Sequence, residues 1–96
     1  MDDTTKLSVE IEYCTGCQFL GRAAWLAQEL LAAHQAEIAS LTLVPSHGGV
    51  FAVRIGGELA FSNKEQGRFP EPREIKEALR TRLGLPPATR HEQGHD

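Results

Sequence analysis

The segment that decides the predicted fold is Leu7-Ser8-Val9-Glu10-Ile11-Glu12-Tyr13-Cys14-Thr15-Gly16-Cys17. Apolar and polar side chains alternate from Leu7 to Tyr13, which predicts a strand with one buried face and one solvated face. After the two cysteines, apolar residues recur at helical spacing: Leu20, Ala23, Ala24, Ala27, Leu30 and Leu31. Thr15 and Gln18 have the spacing of a capping box, so we expect this helix to begin inside the cysteine motif and to end near Ala36.

Further along the chain, the pattern predicts another strand and a second helix. The strand covers residues 37–44 and is expected to stop at Pro45. The helix covers residues 72–83, because a proline suits its first turn and Gly84 suits its C-terminal cap. Residues 63–70 are expected to form a polar connection. The second helix points the following side chains inward: Ile75, Ala78, Leu79 and Leu83.

Two more strands form a predicted hairpin around Gly56-Gly57. Apolar residues alternate through it: Phe51, Val53, Ile55, Leu59 and Phe61. A two-residue turn would pair Ile55 with Glu58 and turn Leu59 to the opposite face. A three-residue loop, residues 56–58, pairs Ile55 with Leu59 and keeps all the apolar side chains on one face. We therefore expect the three-residue loop with a glycine bulge.

The element order β-α-β-β-β-α predicts an α/β (α+β) fold in which two helices cover one face of a four-stranded mixed sheet. The 96 residues suffice for one domain, which we place at residues 1–85, before a flexible tail at 86–96. Ten basic and thirteen acidic residues give a net charge of −3, which argues against nucleic-acid binding. No apolar stretch reaches the ~20 residues of a membrane span, and no signal peptide is visible, so we expect a cytoplasmic protein.

Cys14 and Cys17 are the only cysteines of the chain and carry its strongest chemical signal. In a reducing compartment, a Cys-x-x-Cys pair is more often redox-active than structural. Backbone N–H groups at a helix start favour the thiolate, and the second thiol can resolve a mixed disulfide. Glu10 and Glu12 are expected to raise the thiol pKa by their like charge, which predicts a mild dithiol rather than a strong oxidant.

Three segments resemble the selenoprotein W group of thioredoxin-like proteins: Tyr13-Cys14-Thr15-Gly16-Cys17, Gly49-Val50-Phe51-Ala52-Val53 and Ser62-Asn63-Lys64-Glu65. The resemblance spans roughly residues 7–83 and implies a thioredoxin-like fold and a role in cell redox homeostasis. We expect no bound cofactor, glutathione as a candidate co-substrate, and the thiols or disulfides of proteins as partners. The family often has glutamate where this chain has Ala52, so this chain lacks that carboxylate.

The resemblance leaves open which cysteine attacks first. Thioredoxins use the N-terminal thiol, which favours Cys14 as the exposed nucleophile, whereas selenium-containing members of the group carry selenocysteine at the position of Cys17. We favour Cys14 and keep Cys17 as the alternative. Thr15 and Gly16 lie between the cysteines, and Gly48-Gly49 stands where thioredoxins have a cis-proline. We predict that these four residues contact the substrate, because glycine lets a substrate backbone come close.

Trp25 is a candidate partner contact. The apolar stripe of the first helix is expected to centre on Leu20, Ala24, Ala27 and Leu31. Trp25 then projects from the polar side of that helix. Because exposed aromatic residues are enriched where proteins bind, we expect Trp25, with Phe19 at its edge, to contact a partner protein or a second copy of the chain in a weak homodimer.

Two other functions compete with disulfide exchange. The first is an interaction module, in which the dithiol acts only as a switch on docking. The second is a soft-metal carrier, because thiolates suit Cu(I). It is less favoured, since copper-chaperone domains usually have methionine where Glu12 stands. His34 and His47 have no zinc-finger spacing, so we expect no metal site and place His34 at a helix end over the core.

Overall fold

The computed structural model describes residues 6–86 of the chain. Its elements are β1 (Leu7–Cys14), α1 (Leu20–His34), β2 (Ile38–Ser46), β3 (Phe51–Ile55), β4 (Glu58–Ser62), α2 (Asn63–Gln66) and α3 (Pro72–Leu83). The predicted order β-α-β-β-β-α is confirmed, with the single turn of α2 added where a polar connection was expected. The predicted tail, apart from Pro86, lies outside the described residues.

The four strands form one mixed sheet in the order β2-β1-β3-β4. β1 and β2 are parallel, which requires a crossover connection, and α1 supplies it. β3 pairs antiparallel with both β1 and β4. The C-terminal end of β1, Cys14, lies beside the end of β2 at Ser46, while the preceding Tyr13 pairs with Phe51 at the start of β3. The loop between β2 and β3 therefore passes beside the cysteine motif.

Both long helices cover the same face of the sheet, as predicted. They share one hydrophobic core with the inward side chains of the strands. The fully buried residues of this core, from strands and helices together, are Val9, Ile11, Leu30, Phe51, Val53, Ile55, Ile75 and Leu79. Phe19, Phe51 and Phe69 pack edge to face, with the ring centroids of Phe51 and Phe69 5.3 Å apart. This aromatic cluster anchors Phe19, the residue before α1, to the sheet and to the segment before α3.

The buried face of α1 differs from the predicted one. Its buried residues are Ala23, Leu26, Ala27, Leu30 and His34. Leu20 and Leu31, expected at the centre of the apolar stripe, are 51% and 37% exposed. The helix turns the i, i+3, i+7 row that starts at Ala23 toward the sheet, because a small residue there lets the helix approach closely. The prediction that Trp25 points outward is confirmed, since it is 53% exposed.

β2 continues through Pro45 to Ser46, so the prediction that proline ends this strand is wrong. Pro45 lies opposite Tyr13 of β1 in the parallel register. β2 is an edge strand, and a proline is tolerated on an edge where its missing N–H would face solvent. The two added residues carry β2 as far as Cys14, the last residue of β1.

The hairpin has a two-residue turn, so the predicted three-residue loop is wrong. Ile55 pairs with Glu58, and Gly56 and Gly57 have φ of 61° and 85°, as the tight hairpin turn demands. A bulge then follows, because Arg54 pairs with Leu59 while Val53 pairs with Phe61. The bulge returns Phe61 to the core face, whereas Leu59 shares the face of Arg54 and is 42% exposed.

α3 has the predicted bounds and the predicted caps. Pro72 occupies its first turn, and Gly84 follows it with φ of 76° and donates its N–H to Arg80 and Thr81 carbonyls. A capping box between Glu71 and Glu74 also fixes its start. Of the side chains predicted to point inward, Ile75 and Leu79 are fully buried, while Ala78 and Leu83 pack against the edge of the core.

Candidate active site

The two cysteines lie together at the end of β1. Their sulfur atoms are 2.6 Å apart, and both residues are free thiols. Cys14 is the last residue of the strand and is only 3% exposed, whereas Cys17, in the turn that follows, is exposed. The expectation that Cys14 is the exposed thiol is therefore wrong.

The cysteine motif forms a turn before α1 rather than the first turn of that helix. Gln18 donates its N–H to the Thr15 carbonyl at 3.1 Å and has φ of 62°, which is not helical. The capping box expected between these two residues is absent, because the Thr15 hydroxyl donates to the carbonyl of Ser46 at 3.2 Å. The Thr15 N–H donates to the same carbonyl at 3.0 Å. α1 starts only at Leu20, so local backbone groups, rather than the helix terminus, contact the thiols.

The β2–β3 loop lies against the dithiol, as the placement of Gly48-Gly49 predicted. Cys14 donates its N–H to the Val50 carbonyl at 2.9 Å, which fixes the loop to the end of β1. The Gly49 backbone N–H forms hydrogen bonds with both sulfurs, and these favour the thiolate form of each cysteine. Gly48 and Gly49 have φ of 80° and 76°, a backbone conformation that favours glycine. A β-carbon at Gly16 or Gly48 would meet no atom within 4 Å, so the backbone is open to approach there.

The two thiols have opposite shifts in acidity. The pKa of Cys14 is lowered, mainly by its hydrogen bond with the Cys17 thiol; burial opposes this effect, and the backbone N–H groups of Gly49, Cys17 and Gly16 add to it. The pKa of Cys17 is raised, mainly by that same hydrogen bond and then by burial and the Cys14 charge. The two thiols are therefore coupled and titrate as a pair, in which the Cys14 sulfur is the more acidic.

The charges near the dithiol differ from those expected from the sequence. Lys64, at the start of α2, lowers the pKa of Cys17 by its positive charge. Glu12 was expected to oppose thiolate formation, but its carboxylate accepts a hydrogen bond from Arg54 at 3.1 Å. Charges that act on Cys17 across space include those of Cys14, which raises its pKa, and Lys64, which opposes that rise.

Asn63 and Lys64 were not predicted as site residues. The Asn63 side chain donates to the Gly49 carbonyl and accepts the Phe51 N–H, each at 2.8 Å. Lys64 Nζ donates to the Gly48 carbonyl at 2.6 Å. Both residues belong to one of the segments that carried the resemblance, and this was the only signal that could have pointed to them. No local spacing links them to a loop that lies 12 to 16 residues earlier.

The profile of the Rdx family matches residues 8–81. This chain belongs to the Rdx family. Two mammalian relatives, each named migration and invasion enhancer 1, are 35% (Mus musculus) and 34% (Bos taurus) identical over 74 residues. These residues are 75% of this chain and 61% of each relative, so the match leaves more than a third of each relative uncovered.

Solved structures place this Rdx-family chain among selenoprotein W-related proteins. A selenoprotein W-related protein from Vibrio cholerae superposes with a TM-score of 0.79 and 37% identity, covering 81% of this chain and 98% of that one. A protein from Bordetella parapertussis gives a TM-score of 0.77 and 41% identity, covering 79% and 96%. The predicted thioredoxin-like fold and the family resemblance are therefore confirmed.

Trp25 of this Rdx-family chain lies on α1, outside the group of residues that surrounds the sulfurs. It borders a shallow cleft with Arg22, Phe69 and Pro70. The Arg22 guanidinium stacks 4.1 Å from the centre of the Phe69 ring and closes one side of this cleft. About half of the Trp25 side chain is therefore covered by the protein, and the other half faces solvent.

His34 lies at the far end of α1 from the dithiol. His34 is buried at the end of α1, with its Nδ1 3.2 Å from Glu37 Oε1, as expected of a residue that packs over the core. Within residues 6–86, no three His, Cys, Asp or Glu side chains are grouped closely enough to hold a metal ion. No helix in that range has the length and apolar character needed to cross a bilayer.

Proposed function

We propose that this protein is a thiol-disulfide redox protein of the cytoplasm, which uses Cys14 and Cys17 to exchange electrons with disulfides. The observation that carries the proposal is the pairing of one exposed and one buried thiol, with sulfurs 2.6 Å apart, at the end of a strand. A single cysteine can only form a mixed disulfide, whereas a second thiol at this distance can release the product. The protein would then serve in cell redox homeostasis.

Each turnover transfers two electrons in two exchange steps. The thiolate of Cys17 attacks one sulfur of a target disulfide, and the other target sulfur leaves as a thiolate that takes up a proton. The Cys14 thiolate then attacks the Cys17 sulfur and expels the second target sulfur in the same way. The target is reduced to two thiols, and the protein is oxidised to the Cys14–Cys17 disulfide. Glutathione or a protein dithiol would reverse these steps and restore the reduced form.

Cys17 rather than Cys14 is the first attacker in this proposal, which reverses the preference drawn from thioredoxins. Exposure supports the change, because a target can reach Cys17 while Cys14 is only 3% exposed. The raised pKa of Cys17 does not prevent it, since the proton lies in a hydrogen bond between the two sulfurs and can pass to Cys14. The position matches that of selenocysteine in the selenium-containing proteins of the group.

The substrate backbone would approach beside Thr15, Gly16 and the glycines of the β2–β3 loop. Gly16 and Gly48 have open space where a β-carbon would stand, so no side chain blocks this approach. The targets that fit are extended protein segments that carry a cysteine, and glutathione, whose cysteine lies within a short peptide. No bound cofactor is needed, because the electrons reside on the two sulfurs.

Equilibration with glutathione buffers, followed by mass spectrometry of the intact protein, tests the proposal. We expect the loss of two hydrogen atoms with a midpoint between about −270 and −180 mV, the range from thioredoxin to protein disulfide isomerase. Cys14→Ala should instead accumulate a glutathione adduct, because it lacks the resolving thiol. If wild-type protein forms the disulfide only after it unfolds, the proposed function is wrong.

A second candidate function, a redox-switched interaction module, is favoured by the outer face of α1. Leu20 and Trp25 are 51% and 53% exposed, and Leu20 lies three residues after Cys17. A partner that covers this face would meet the dithiol, so oxidation could alter docking. Turnover separates the two functions: a module would be oxidised once without catalysing the reduction of a target in excess.

A further inference from the structure

The β2–β3 loop depends on side chains from outside it for its conformation. Two consecutive glycines, Gly48 and Gly49, lie at positive φ, and glycine loses more conformational freedom on folding than any other residue. The backbone carbonyls of both glycines are nevertheless fixed by hydrogen bonds from the start of α2. The conformation of the loop beside the dithiol is thus set by residues more than ten positions later in the chain.

Asn63 holds the loop at two points. Its amide nitrogen donates to the Gly49 carbonyl and its amide oxygen accepts the Phe51 N–H, both at 2.8 Å. Only a side chain that is both donor and acceptor can make this pair of bonds. Asn63 is itself fixed, because its carbonyl accepts the Gly67 N–H at 2.7 Å and the preceding Ser62 pairs with Ala52 of β3.

Lys64 brings a positive charge to the same place. Its ammonium donates to the Gly48 carbonyl at 2.6 Å and lies 3.6 Å from the point where a Gly49 β-carbon would stand. This bond directs a flexible side chain, which could otherwise extend into solvent, toward the loop that contacts the sulfurs. The charge then acts on Cys17, the exposed thiol.

We propose that Asn63 and Lys64 are positioning residues of the dithiol: they hold Gly48-Gly49 so that the Gly49 N–H and the Lys64 ammonium face the Cys17 sulfur. The proposal rests on the proposed function for its biological role, since a stabilised Cys17 thiolate is the group that attacks the target disulfide. It gives the first two residues of α2 a role in the acidity of Cys17.

Alkylation of a single-cysteine protein tests the role of Lys64. In Cys14→Ala, the rate of Cys17 alkylation by iodoacetamide, followed against pH by mass spectrometry, reports the acidity of that thiol alone. Adding Lys64→Gln should move the inflection of the rate–pH curve to higher pH. At neutral pH it should slow alkylation about two- to fivefold, the effect expected from the loss of one solvent-exposed charge. The plateau rate at high pH should not change. Lys64→Arg should restore the profile, and high salt should reduce the difference.

Lys76→Gln is the matched control for this substitution, because Lys76 lies on α3, where it pairs with Glu29 at 3.4 Å. It should leave the pH profile of Cys17 unchanged. If Lys64→Gln and Lys76→Gln give the same profile, Lys64 has no positioning role.

Asn63→Ala, in the same single-cysteine protein, should also move the inflection to higher pH. Glu74→Ala serves as its control for stability, since it removes the capping box of α3 without a contact to the loop. If Asn63→Ala lowers stability as Glu74→Ala does but leaves the pH profile in place, Asn63 is only structural and the proposal is overturned for it.

These measurements are independent of turnover. A wild-type protein that does not form the disulfide reversibly, together with a Lys64→Gln shift, would overturn the proposed function and keep the positioning role. Reversible disulfide formation in the wild type, with no change in the pH profile of Cys17 in Lys64→Gln, would keep the proposed function and overturn the positioning role of Lys64.

Discussion

The sulfur atoms of Cys14 and Cys17 lie 2.6 Å apart, yet only Cys17 reaches the surface. β1 explains this asymmetry, because it ends at Cys14 and carries that residue beneath the β2–β3 loop, where its N–H bonds to the Val50 carbonyl at 2.9 Å. A reagent from solvent therefore meets Cys17 first. Cys14 is placed to react with Cys17 rather than with an outside target.

This asymmetry predicts different alkylation rates for the two single-cysteine variants. Cys14→Ala, which retains the exposed thiol, should react with N-ethylmaleimide at least about tenfold faster than Cys17→Ala. The retained Cys14 reacts only after local opening, and an opening free energy of about 1.4 kcal/mol already gives a tenfold protection. The rates are measured by mass spectrometry at a pH where both thiols are ionised. In denaturant the two rates should become equal, and a faster reaction of folded Cys17→Ala would contradict the assignment.

The same pair of variants should shift the two thiol pKa values in opposite directions. In Cys14→Ala, the pKa of Cys17 should fall below its wild-type value, because the hydrogen bond to Cys14 is the main cause of its rise and the Lys64 charge remains. In Cys17→Ala, the pKa of Cys14 should rise, since it loses the hydrogen bond that chiefly lowers it while burial remains. Ultraviolet absorbance of the thiolate against pH measures both. Shifts in the same direction would mean that the two sulfurs do not share a proton.

Local patterns were sufficient to predict elements whose signals lie within the element itself. α3 has its predicted bounds because the signals are local. Pro72 lacks a backbone N–H and suits the first turn, and Gly84 adopts the left-handed conformation that ends the helix. Strand β1 and the Cys-x-x-Cys motif after it were predicted for the same reason. The position of the motif at a strand end then fixed where the candidate site lies.

The hairpin shows why alternation alone gave the wrong register. For Ile55 and Phe61 to lie on the same face, the hairpin needs one extra residue between them. This residue could lie in the turn or in the strand. The structure places it in β4, where Ala60 is the additional residue between the Val53–Phe61 and Arg54–Leu59 pairs. The turn stays at two glycines because their positive φ values match the twist of the strands. The alternation of apolar residues shows that an extra residue is present but does not show whether it lies in the turn or in a bulge of the strand.

The tertiary features of the site were beyond the reach of local patterns. Burial of Cys14 depends on the β2–β3 loop, whose Val50 carbonyl accepts the Cys14 N–H, and the Thr15 hydroxyl bonds to Ser46 of β2 instead of capping α1. The two hydrogen bonds from the Asn63 side chain to the β2–β3 loop and Phe51 depend in the same way on the pairing of β3 with β4. Each of these contacts joins segments that are distant in sequence, so it appears only once the strand order is known.

Glu74 should make stability depend on pH. Its carboxylate accepts two hydrogen bonds from Arg68, at 2.7 and 2.9 Å, and one from the Glu71 N–H at 2.9 Å, which completes the capping box of α3. Arg68 is the main cause that holds the pKa of Glu74 below its ordinary value of 4.5. The folded state therefore favours the ionised form. This stabilisation is complete above the ordinary value and is lost as the pH falls through the lowered value.

Glu74→Gln isolates this contribution, because the amide keeps an acceptor for the Glu71 N–H but loses the charge. We expect the free energy of unfolding to fall by about 0.2–1 kcal/mol at neutral pH, as for a solvent-exposed ion pair. Urea denaturation at several pH values measures it. The difference from wild type should disappear in acid, where Glu74 is protonated in both states. A difference that persists unchanged at low pH would show that the ion pair does not carry the effect.

Trp25→Ala should separate partner binding from stability. Trp25 is 53% exposed, and it borders the cleft beside Phe69 and Pro70. Its loss should therefore cost less than the about 3 kcal/mol typical of truncating a core aromatic residue. If it contacts partners, the variant should reduce a protein disulfide more slowly, while its exchange with glutathione, a tripeptide without a protein surface to pack on Trp25, should keep the wild-type rate.

Leu59→Ala is the matched control for this prediction. Leu59 is 42% exposed but pairs with Arg54, so it lies on the sheet face that the helices leave uncovered. Removing it deletes a similar exposed apolar group on the other side of the molecule, and it should leave the rates with protein and glutathione disulfides equally unaffected. Sedimentation of Trp25→Ala and wild type tests self-association through the same residue. A stability loss above about 3 kcal/mol with unchanged exchange and association would assign Trp25 to the core and exclude it as a docking contact.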